Sequence, residues 1–303
     1  MNKHPLLLIA FLLSASLYAQ SPLNQPIARN PGNQLRNQIN KIAQAAQGRV
    51  GVAATIVETG ETVDLRGNEQ FPMQSVYKMP IGMAVLHQVD QGKLTLNQTV
   101  RVEPAEYVSE QQRSPLRDNH PKGTNVTIQA LLRYAVSESD GSASDVLMRL
   151  AGGAPVIMGY LKTLGITGII VANTEKELGA DQTVQYRNWA TPKEAIRLLA
   201  ALQKGRGLST TNRTILLRMM TDTETGLKRL KGLLPAGTSV AHKTGTSLTI
   251  DGVTAATNDI GLITLPNGQH MAIAVFISDA KADSVVREEV IAKIAKASWD
   301  TWK

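Results

Sequence analysis

The chain of 303 residues contains no cysteine, and this absence excludes two features. A disulfide framework is impossible, and so is a lipoprotein anchor, because such an anchor is attached to a cysteine that follows the signal segment. Neither is needed for stability. A chain of this length with 43% hydrophobic residues can bury a large core without cross-links.

Aromatic residues are also scarce, at 4%, although the formal net charge is +7. A nucleic-acid-binding protein clusters its basic residues and combines them with aromatic ones. The densest basic run here is only Lys228-Arg229-Leu230-Lys231, so we expect a solvated basic surface and no nucleic-acid partner. The five histidines show no close pair at ligand spacing, and we expect neither a metal site nor a cofactor.

Apolar runs long enough to span a membrane are missing as well. The apolar segment at 6–13 is short, follows a basic start and leads to small residues ending at Ala19. This pattern is typical of a signal peptide cleaved after Ala19. We therefore expect residues 1–19 to be removed on export. The mature protein should be soluble, without a membrane anchor, periplasmic in a cell with two membranes, and monomeric.

Strand patterns occur near both ends of the chain, and helical patterns fill the middle. They predict a fold of the α/β class (α+β type), in which one five-stranded antiparallel sheet is flanked by helices and an all-helical lobe is inserted. The predicted sheet lobe comprises 20–70 and 225–303, and the helical lobe comprises 71–224 with an irregular loop at 165–190. Long loops in compact domains are usually functional. Strands are predicted at 50–57, 62–65, 239–246, 257–265 and 270–278, and helices at 35–46, 75–92, 127–136, 142–151, 155–163, 192–203, 210–221 and 283–301.

The pair Ser75 and Lys78 opens a helix that is apolar on nearly every side, which predicts a buried helix. Residues three apart lie on one face, so the hydroxyl and the amine should meet at the first turn. Serine needs an adjacent base to act as a nucleophile, and a desolvated lysine loses basicity and can serve as one. Alone, the same pattern is equally that of a serine N-cap.

Two further motifs carry polar side chains in suggestive places. Lys243-Thr244-Gly245-Thr246 lies on a predicted strand and offers an ammonium, a hydroxyl and a glycine that lets a ligand approach, which is typical of a carboxylate receptor. An edge strand that uses lysine against pairing is the alternative. Ser139-Asp140 lies between two helices, where Ser139 could pass a proton and Asp140 could fix the loop. An ordinary N-cap explains this pair as well.

Taken together, the three motifs in this order are the set found in class A β-lactamases and penicillin-binding proteins. The chain resembles a class A serine β-lactamase of the PER and VEB subgroup over nearly all of the mature sequence. The resemblance is carried by 71–76 (Phe-Pro-Met-Gln-Ser-Val), 89–94 (Val-Asp-Gln-Gly-Lys-Leu), 229–237 (Arg-Leu-Lys-Gly-Leu-Leu-Pro-Ala-Gly) and 241–246 (Ala-His-Lys-Thr-Gly-Thr).

The resemblance implies the roles of the catalytic groups. Ser75 would open the β-lactam ring, Lys78 would be its proton-transfer partner, and Ser139 would relay a proton to the departing ring nitrogen. The N–H groups of Ser75 and Thr246 would form the oxyanion hole. No cofactor is implied, and the partner is a small-molecule β-lactam.

The resemblance also implies the substrate-binding groups. Lys243, Thr244 and Arg229 would hold the substrate carboxylate, with Arg229 supplying a charge-assisted contact. Gly245 and Thr246 continue the same strand edge beside the substrate.

The deacylating base is expected in the irregular loop. Counting forward from 165–166 and back from 185–189 gives Glu175 in both cases, with Glu177 as the competitor. Glu175 would activate the water that hydrolyses the acyl-enzyme. Whether Lys78 or Glu175 is the base for acylation is disputed in this family.

The sequence departs from the family pattern at several positions. The family's Ser-Asp-Asn is here Ser139-Asp140-Gly141, so the substrate-contacting amide of that position is missing. Gly179 replaces a water-positioning side chain, and Arg113 replaces an aromatic residue at the cleft rim. Asn173 and Asn188 stand where many members have an Arg–Asp pair. These changes concern rate and substrate range more than the chemistry.

Two other functions would use some of the same motifs. A penicillin-binding DD-peptidase would share Ser75, Lys78 and Lys243 but would lack a positioned deacylating carboxylate. A β-lactam sensor would be acylated once and stay acylated, and it would need a membrane link to signal. Glu175 and the absence of a predicted anchor favour the hydrolase.

Overall fold

The structure is a computed structural model, and it describes Met1 and residues 31–303. The predicted signal peptide therefore lies outside the described residues apart from Met1. Among the described residues, no helix combines the length and the apolar character needed to cross a membrane.

The regular elements are numbered in chain order. The strands are β1 (Arg49–Ile56), β2 (Thr62–Leu65), β3 (Phe71–Pro72), β4 (Thr99–Val102), β5 (Thr124–Thr127), β6 (Ile169–Ile170), β7 (Trp189–Ala190), β8 (Val240–Thr246), β9 (Thr249–Ile250), β10 (Val253–Thr254), β11 (Thr257–Thr264) and β12 (His270–Ser278). The α-helices are α1 (Pro31–Ala43), α2 (Lys78–Asp90), α3 (Pro115–Asn119), α4 (Ile128–Val136), α5 (Gly141–Leu150), α6 (Ala154–Thr163), α7 (Glu175–Ala180), α8 (Pro192–Gln203), α9 (Thr210–Thr221) and α10 (Ser284–Trp302).

The main sheet has five antiparallel strands in the order β2-β1-β12-β11-β8. This confirms the predicted sheet built from both ends of the chain. The five predicted strands agree with the observed bounds within about one residue. The hairpin between β11 and β12 turns at 265–268, where Gly268 has φ 83°, a left-handed conformation that glycine adopts without strain.

Helices cover both faces of this sheet. On one face, α1 and α10 pack against the strands through an aliphatic cluster that includes Leu35, Ile39, Ile273, Val275 and Ile294. On the other face α8 packs on β1 and β12, and its apolar residues join the larger core around α2. The edge strand β8 pairs with β11 and packs against the turn at 74–77, just before α2. The functional residues collect at this contact.

The central helix α2 is buried along most of its length and contacts α4, α5, α6 and α9. Its all-round apolar sequence predicts this position. The turn that carries Ser75 is a 3-10 turn, Gln74–Tyr77, and the α-helix begins at Lys78. Asn258 on β11 donates to the carbonyl oxygens of Pro72 (2.8 Å) and Met73 (3.1 Å), which fixes the segment just before this turn to the sheet.

The loop at 165–190 contains more regular structure than its sequence predicts. It holds β6, β7, α7 and a 3-10 turn at Gln182–Tyr186. The helix α7 has only six residues, which is too short for a periodic apolar pattern, but its start carries a capping box between Thr174 and Glu177. The neck is closed by Asn188, whose side chain accepts from the N–H groups of Ala172 (2.7 Å) and Asn173 (2.9 Å) and donates to the Asn173 carbonyl (2.8 Å).

Candidate active site

A cavity of about 360 Å³ opens where β8, the Ser75 turn and the 165–190 loop meet. It brings together five of the predicted catalytic and substrate-binding residues, Ser75, Ser139, Glu175, Thr244 and Thr246, and Arg113 and Gly179 also line it. Two more predicted residues lie buried directly behind these five and contact them. They are Lys78 and Lys243.

Lys78 joins the two sides of the cavity. Its side chain is 1% exposed, and its Nζ donates to the main-chain oxygen of Ser139 at 2.8 Å. The same Nζ lies 3.2 Å from Oε2 of Glu175. In this position the Lys78 amine can exchange a proton with the Glu175 carboxylate. Lys78 also follows Ser75 by three residues, which places the two side chains on the same face of the turn.

Glu175 begins α7 and turns its carboxylate into the protein instead of into solvent. Oε2 accepts a hydrogen bond of 2.7 Å from the phenol of Tyr77, and the side chain is 13% exposed. Its competitor Glu177 caps the same helix, where its carboxylate accepts from the N–H of Thr174 at 2.8 Å and from the Asn173 amide at 3.2 Å. Only Glu175 of these two carboxylates lines the cavity with Ser75.

Ser139 is held in a conformation that serine rarely adopts. Its φ is 61°, in the left-handed region, and this turns its carbonyl towards Lys78 while its Oγ accepts from Lys243 Nζ at 3.0 Å. The next residue fixes the turn. Asp140 is the N-cap of α5, accepting from Ala143 N at 2.8 Å, and it also accepts from Leu116 N at 2.6 Å.

The strand β8 supplies the opposite wall. Burial, with Lys78 nearby, holds the pKa of Lys243 well below its usual value. Thr244 Oγ1 is 2.6 Å from Thr225 Oγ1 and faces the cavity. A β-carbon on Gly245 would lie 2.2 Å from the carbonyl oxygen of Met73. Close packing of two main chains therefore explains this glycine, rather than the approach of a ligand.

Arg229 lies behind the strand and outside the cavity lining. It is 6% exposed, its Nε pairs with Glu288 Oε1 at 3.1 Å, and one terminal nitrogen donates to Asn258 O at 2.9 Å. The other terminal nitrogen donates to Thr246 Oγ1 at 2.8 Å. Its contact with the cavity is thus indirect and passes through the hydroxyl of Thr246.

Gly141, one of the two glycines that depart from the family pattern, packs against Glu175. Gly141 is buried at the start of α5, and a β-carbon there would lie 2.7 Å from Cγ of Glu175. A side chain at position 141 would therefore press on Glu175. The next residue, Ser142, is fully buried, and its Oγ accepts from Val108 N at 3.1 Å and from Ser114 Oγ at 2.8 Å.

Sequence reasoning did not single out Tyr77 and Asp145, which both hold Glu175. Asp145 accepts from the N–H of Glu175 at 2.6 Å and from that of Lys176 at 2.9 Å. One signal was present for each residue. Tyr77 is a polar-tipped residue within an apolar run, and Asp145 is a charged residue next to the buried positions Val146 and Leu147 of α5.

Asp145 should make stability depend on pH between about 4 and 6. Burial raises its pKa from the ordinary 3.8 to about 6, so in this range the folded protein binds a proton that the unfolded chain does not. The contribution of Asp145 to the free energy of unfolding therefore falls as pH rises through this window. An Asp145→Asn variant lacks this loss. Its stability relative to wild type should rise by roughly 1–3 kcal/mol from pH 4 to pH 7, measured by urea unfolding.

Asp251→Asn is the matched control, since Asp251 is exposed in a turn. Its stability relative to wild type should stay flat across the same pH range. A flat difference for Asp145→Asn as well would contradict the raised pKa of Asp145.

The five-stranded sheet, the buried α2 and the cavity at β8 define the fold of the class A serine β-lactamases. A family model for the beta-lactamase enzyme family matches residues 34–302. The chain therefore belongs to the beta-lactamase enzyme family and is a class A enzyme.

Individual relatives agree with this assignment. The extended-spectrum beta-lactamase PER-1 of Pseudomonas aeruginosa is 41% identical over 294 residues, which cover 97% of this chain and 92% of that protein. Beta-lactamase VEB-1 of Pseudomonas aeruginosa is 39% identical over 264 residues, 86% of this chain and 88% of that protein. The crystal structure of a β-lactamase from Chitinophaga pinensis DSM 2588 has a TM-score of 0.87 and 44% identity, covering 89% of this chain and 100% of that chain. These relatives confirm the resemblance to the PER and VEB subgroup.

Proposed function

We propose that this enzyme hydrolyses the β-lactam ring of penicillins and cephalosporins through an acyl-enzyme on Ser75, with Glu175 as the deacylating base, and that it thereby confers antibiotic resistance. The observation that carries the proposal is the placement of one carboxylate. Glu175 shares a cavity with Ser75, and its Oε2 lies 3.2 Å from Lys78 Nζ. A nucleophile, a proton acceptor and a second base are thus within one small site.

Acylation requires that Ser75 lose its proton as it attacks the ring carbonyl. Lys78 lies one turn away on the same helical face and can accept this proton directly, or Glu175 can accept it through a water molecule. The N–H groups of Ser75 and Thr246 would stabilise the negative charge on the carbonyl oxygen.

Ring opening also requires a proton on the departing nitrogen. Ser139 is suited to deliver it, because its hydroxyl lines the cavity and accepts a hydrogen bond from Lys243 at 3.0 Å. Its main-chain oxygen accepts from Lys78 at 2.8 Å, so this serine connects the two lysines. The Lys78 contact is to the main-chain oxygen and only holds Ser139 in place. The Ser139 hydroxyl can give its proton to the ring nitrogen and take one in return from Lys243, whose Nζ donates to it, while the proton of Ser75 stays on the base that accepted it.

The substrate carboxylate would bind at β8. Thr244 and Thr246 present hydroxyl groups to the cavity, and the amine of Lys243 lies buried behind them. Arg229 orients the Thr246 hydroxyl through its 2.8 Å hydrogen bond and brings a positive charge to this wall. The four side chains form a receptor for one carboxylate at the wall opposite Glu175.

Deacylation depends on a water molecule activated by Glu175. Tyr77 and Lys78 both contact Oε2, at 2.7 Å and 3.2 Å, which orients the carboxylate and leaves Oε1 for the water. This arrangement argues against the DD-peptidase and sensor alternatives, because neither needs a carboxylate in this place.

We further infer an exported, periplasmic, monomeric protein with a sheet lobe at 20–70 and 225–303 and a helical lobe at 71–224.

A turnover assay tests the proposed function. Purified protein mixed with a hundredfold excess of chromogenic cephalosporin should consume all of it, because Glu175 regenerates Ser75 after each cycle. Cephalosporins with bulky side chains belong in the same assay, since PER-1 is an extended-spectrum enzyme. A burst of one equivalent followed by no further reaction would overturn the hydrolase and favour the sensor. Cleavage of a D-alanyl-D-alanine peptide in place of the cephalosporin would favour the DD-peptidase.

A further inference from the structure

Gly179 lies one turn after Glu175 on α7, and its backbone does not require glycine. Its φ is not among the left-handed values of the chain, and it lies inside a helix. Glycine weakens a helix relative to alanine, so its presence here needs another reason.

The neighbour of Gly179 is the side chain of Gln112, which belongs to the segment between β4 and α3. A β-carbon on Gly179 would lie 2.3 Å from Oε1, 2.4 Å from Cδ and 2.6 Å from Nε2 of Gln112. The carboxamide of Gln112 therefore occupies the volume in which a side chain at position 179 would begin. Gln112 and Gly179 also line the same cavity as Ser75 and Glu175.

The carboxamide is hydrogen-bonded at both ends. Nε2 of Gln112 donates to the main-chain oxygen of Glu175, and Oε1 accepts from Ser109 N at 3.3 Å and Ser109 Oγ at 3.1 Å. Asp145 holds the N–H of Glu175 from the other side at 2.6 Å. The peptide units on both sides of the Glu175 side chain are thus fixed, and Gln112 fixes the carbonyl side.

We propose that Gln112 is a positioning residue for deacylation, and this inference rests on the proposed function. Its carboxamide replaces the side chain that position 179 lacks, and its hydrogen bond keeps the first turn of α7 in the place that directs Glu175 at the acyl-enzyme. When Lys78 takes the proton of Ser75, acylation uses Ser75, Lys78 and Ser139, to which Gln112 makes no hydrogen bond, and Glu175 enters only at deacylation. The two half-reactions therefore respond differently to its removal.

In Gln112→Ala, the deacylation rate constant should fall about tenfold, as expected for loss of one hydrogen bond that orients a catalytic group. The acylation rate constant should stay within about twofold of wild type. Both constants are measured with one cephalosporin, by stopped-flow absorbance for acylation and by mass spectrometry of the covalent adduct for deacylation. Gln112→Glu, which keeps the volume but lacks the N–H donor, should show the same defect.

Position 179 supplies a reciprocal test. Gly179→Asn alone should slow deacylation, because the new side chain displaces the Gln112 carboxamide. In Gln112→Ala/Gly179→Asn the space is free, and the asparagine amide should bring deacylation back to within about threefold of wild type. A purely structural role for Gln112 predicts additive losses in the double variant. Glu110→Ala, an exposed neighbour on the same segment, is the control and should leave both rate constants unchanged.

The outcomes separate the inference from the function on which it rests. If wild type turns over but Gln112→Ala deacylates normally, the role of Gln112 is overturned and the hydrolase stands. Equal losses in acylation and deacylation, or additive losses in the double variant, also overturn it. A wild type that is acylated once and never released overturns both.

Discussion

Replacing Glu175 by glutamine should give an enzyme that acylates Ser75 and then stops. The amide keeps the size of the side chain but cannot take a proton from water, and general base catalysis of this kind contributes roughly 10²–10⁴-fold. We expect the deacylation rate constant to fall by that factor. Mass spectrometry of the protein minutes after mixing with a penicillin should show one covalent adduct per chain, whereas wild type should show almost none.

Glu177→Gln is the matched control, two residues away on the same helix. Its carboxylate accepts from Thr174 N at 2.8 Å, so its loss should weaken the cap of α7 by about 1 kcal/mol and leave turnover largely intact. The opposite pattern, with an adduct in Glu177→Gln and normal turnover in Glu175→Gln, would transfer the role of base to Glu177.

Removing the carboxylate of Asp140 should cause a large loss of stability. Asp140→Ala takes away an N-cap and leaves the N–H groups of Leu116 and Ala143 without their acceptor in a fully buried place. A lost cap costs about 1 kcal/mol and an unsatisfied buried N–H about 1–3 kcal/mol. The cap contact to Ala143 and the contact to Leu116 together should lower the free energy of unfolding by about 2–4 kcal/mol, measured by urea denaturation. Activity should fall too, because Ser139 precedes this residue in a strained turn.

Two other variants bracket this result. Asp283→Ala removes the exposed N-cap of α10, which accepts from Val286 N at 2.8 Å, and it should cost only about 1 kcal/mol. Asp140→Asn keeps one acceptor oxygen and should fall between the two alanine variants. Equal losses for Asp140→Ala and Asp283→Ala would show that the buried contacts of Asp140 add nothing to its capping role.

The sequence predicts the parts of this enzyme that depend on local pattern. The helices α8 and α9 and the strand β12 have the bounds expected from their apolar spacing and turn residues. The motif residues Ser75, Ser139 and Lys243 come together as a resemblance to one family implies. Regular apolar spacing and known motifs are properties of the sequence itself, so these elements and residues can be predicted from it.

Contacts between loops that are distant in the chain cannot be predicted in this way. Nothing in the sequence indicates that the side chain of Gln112 lies against Gly179, because the two residues belong to separate segments and neither has a periodic pattern. The left-handed φ of Ser139 is imposed by the surroundings against the preference of serine. The position of Arg229 behind β8 likewise depends on how the 222–234 segment packs on the sheet.

The closure of the 165–190 loop by Asn188 has a consequence for how this enzyme meets its surroundings. Both partners at the neck, the side chain of Asn188 and the peptide groups at 172–173, are neutral. High salt and low pH weaken a loop that is closed by an ion pair, but they do not directly weaken hydrogen bonds between neutral groups. The same hydrogen bonds are sensitive to chemical modification of the Asn188 amide. Deamidation of Asn188 to aspartate would keep the hydrogen bonds accepted from the N–H groups of Ala172 and Asn173. It would lose the one donated to the Asn173 carbonyl and place a negative charge against that oxygen, which would weaken the closure of the loop.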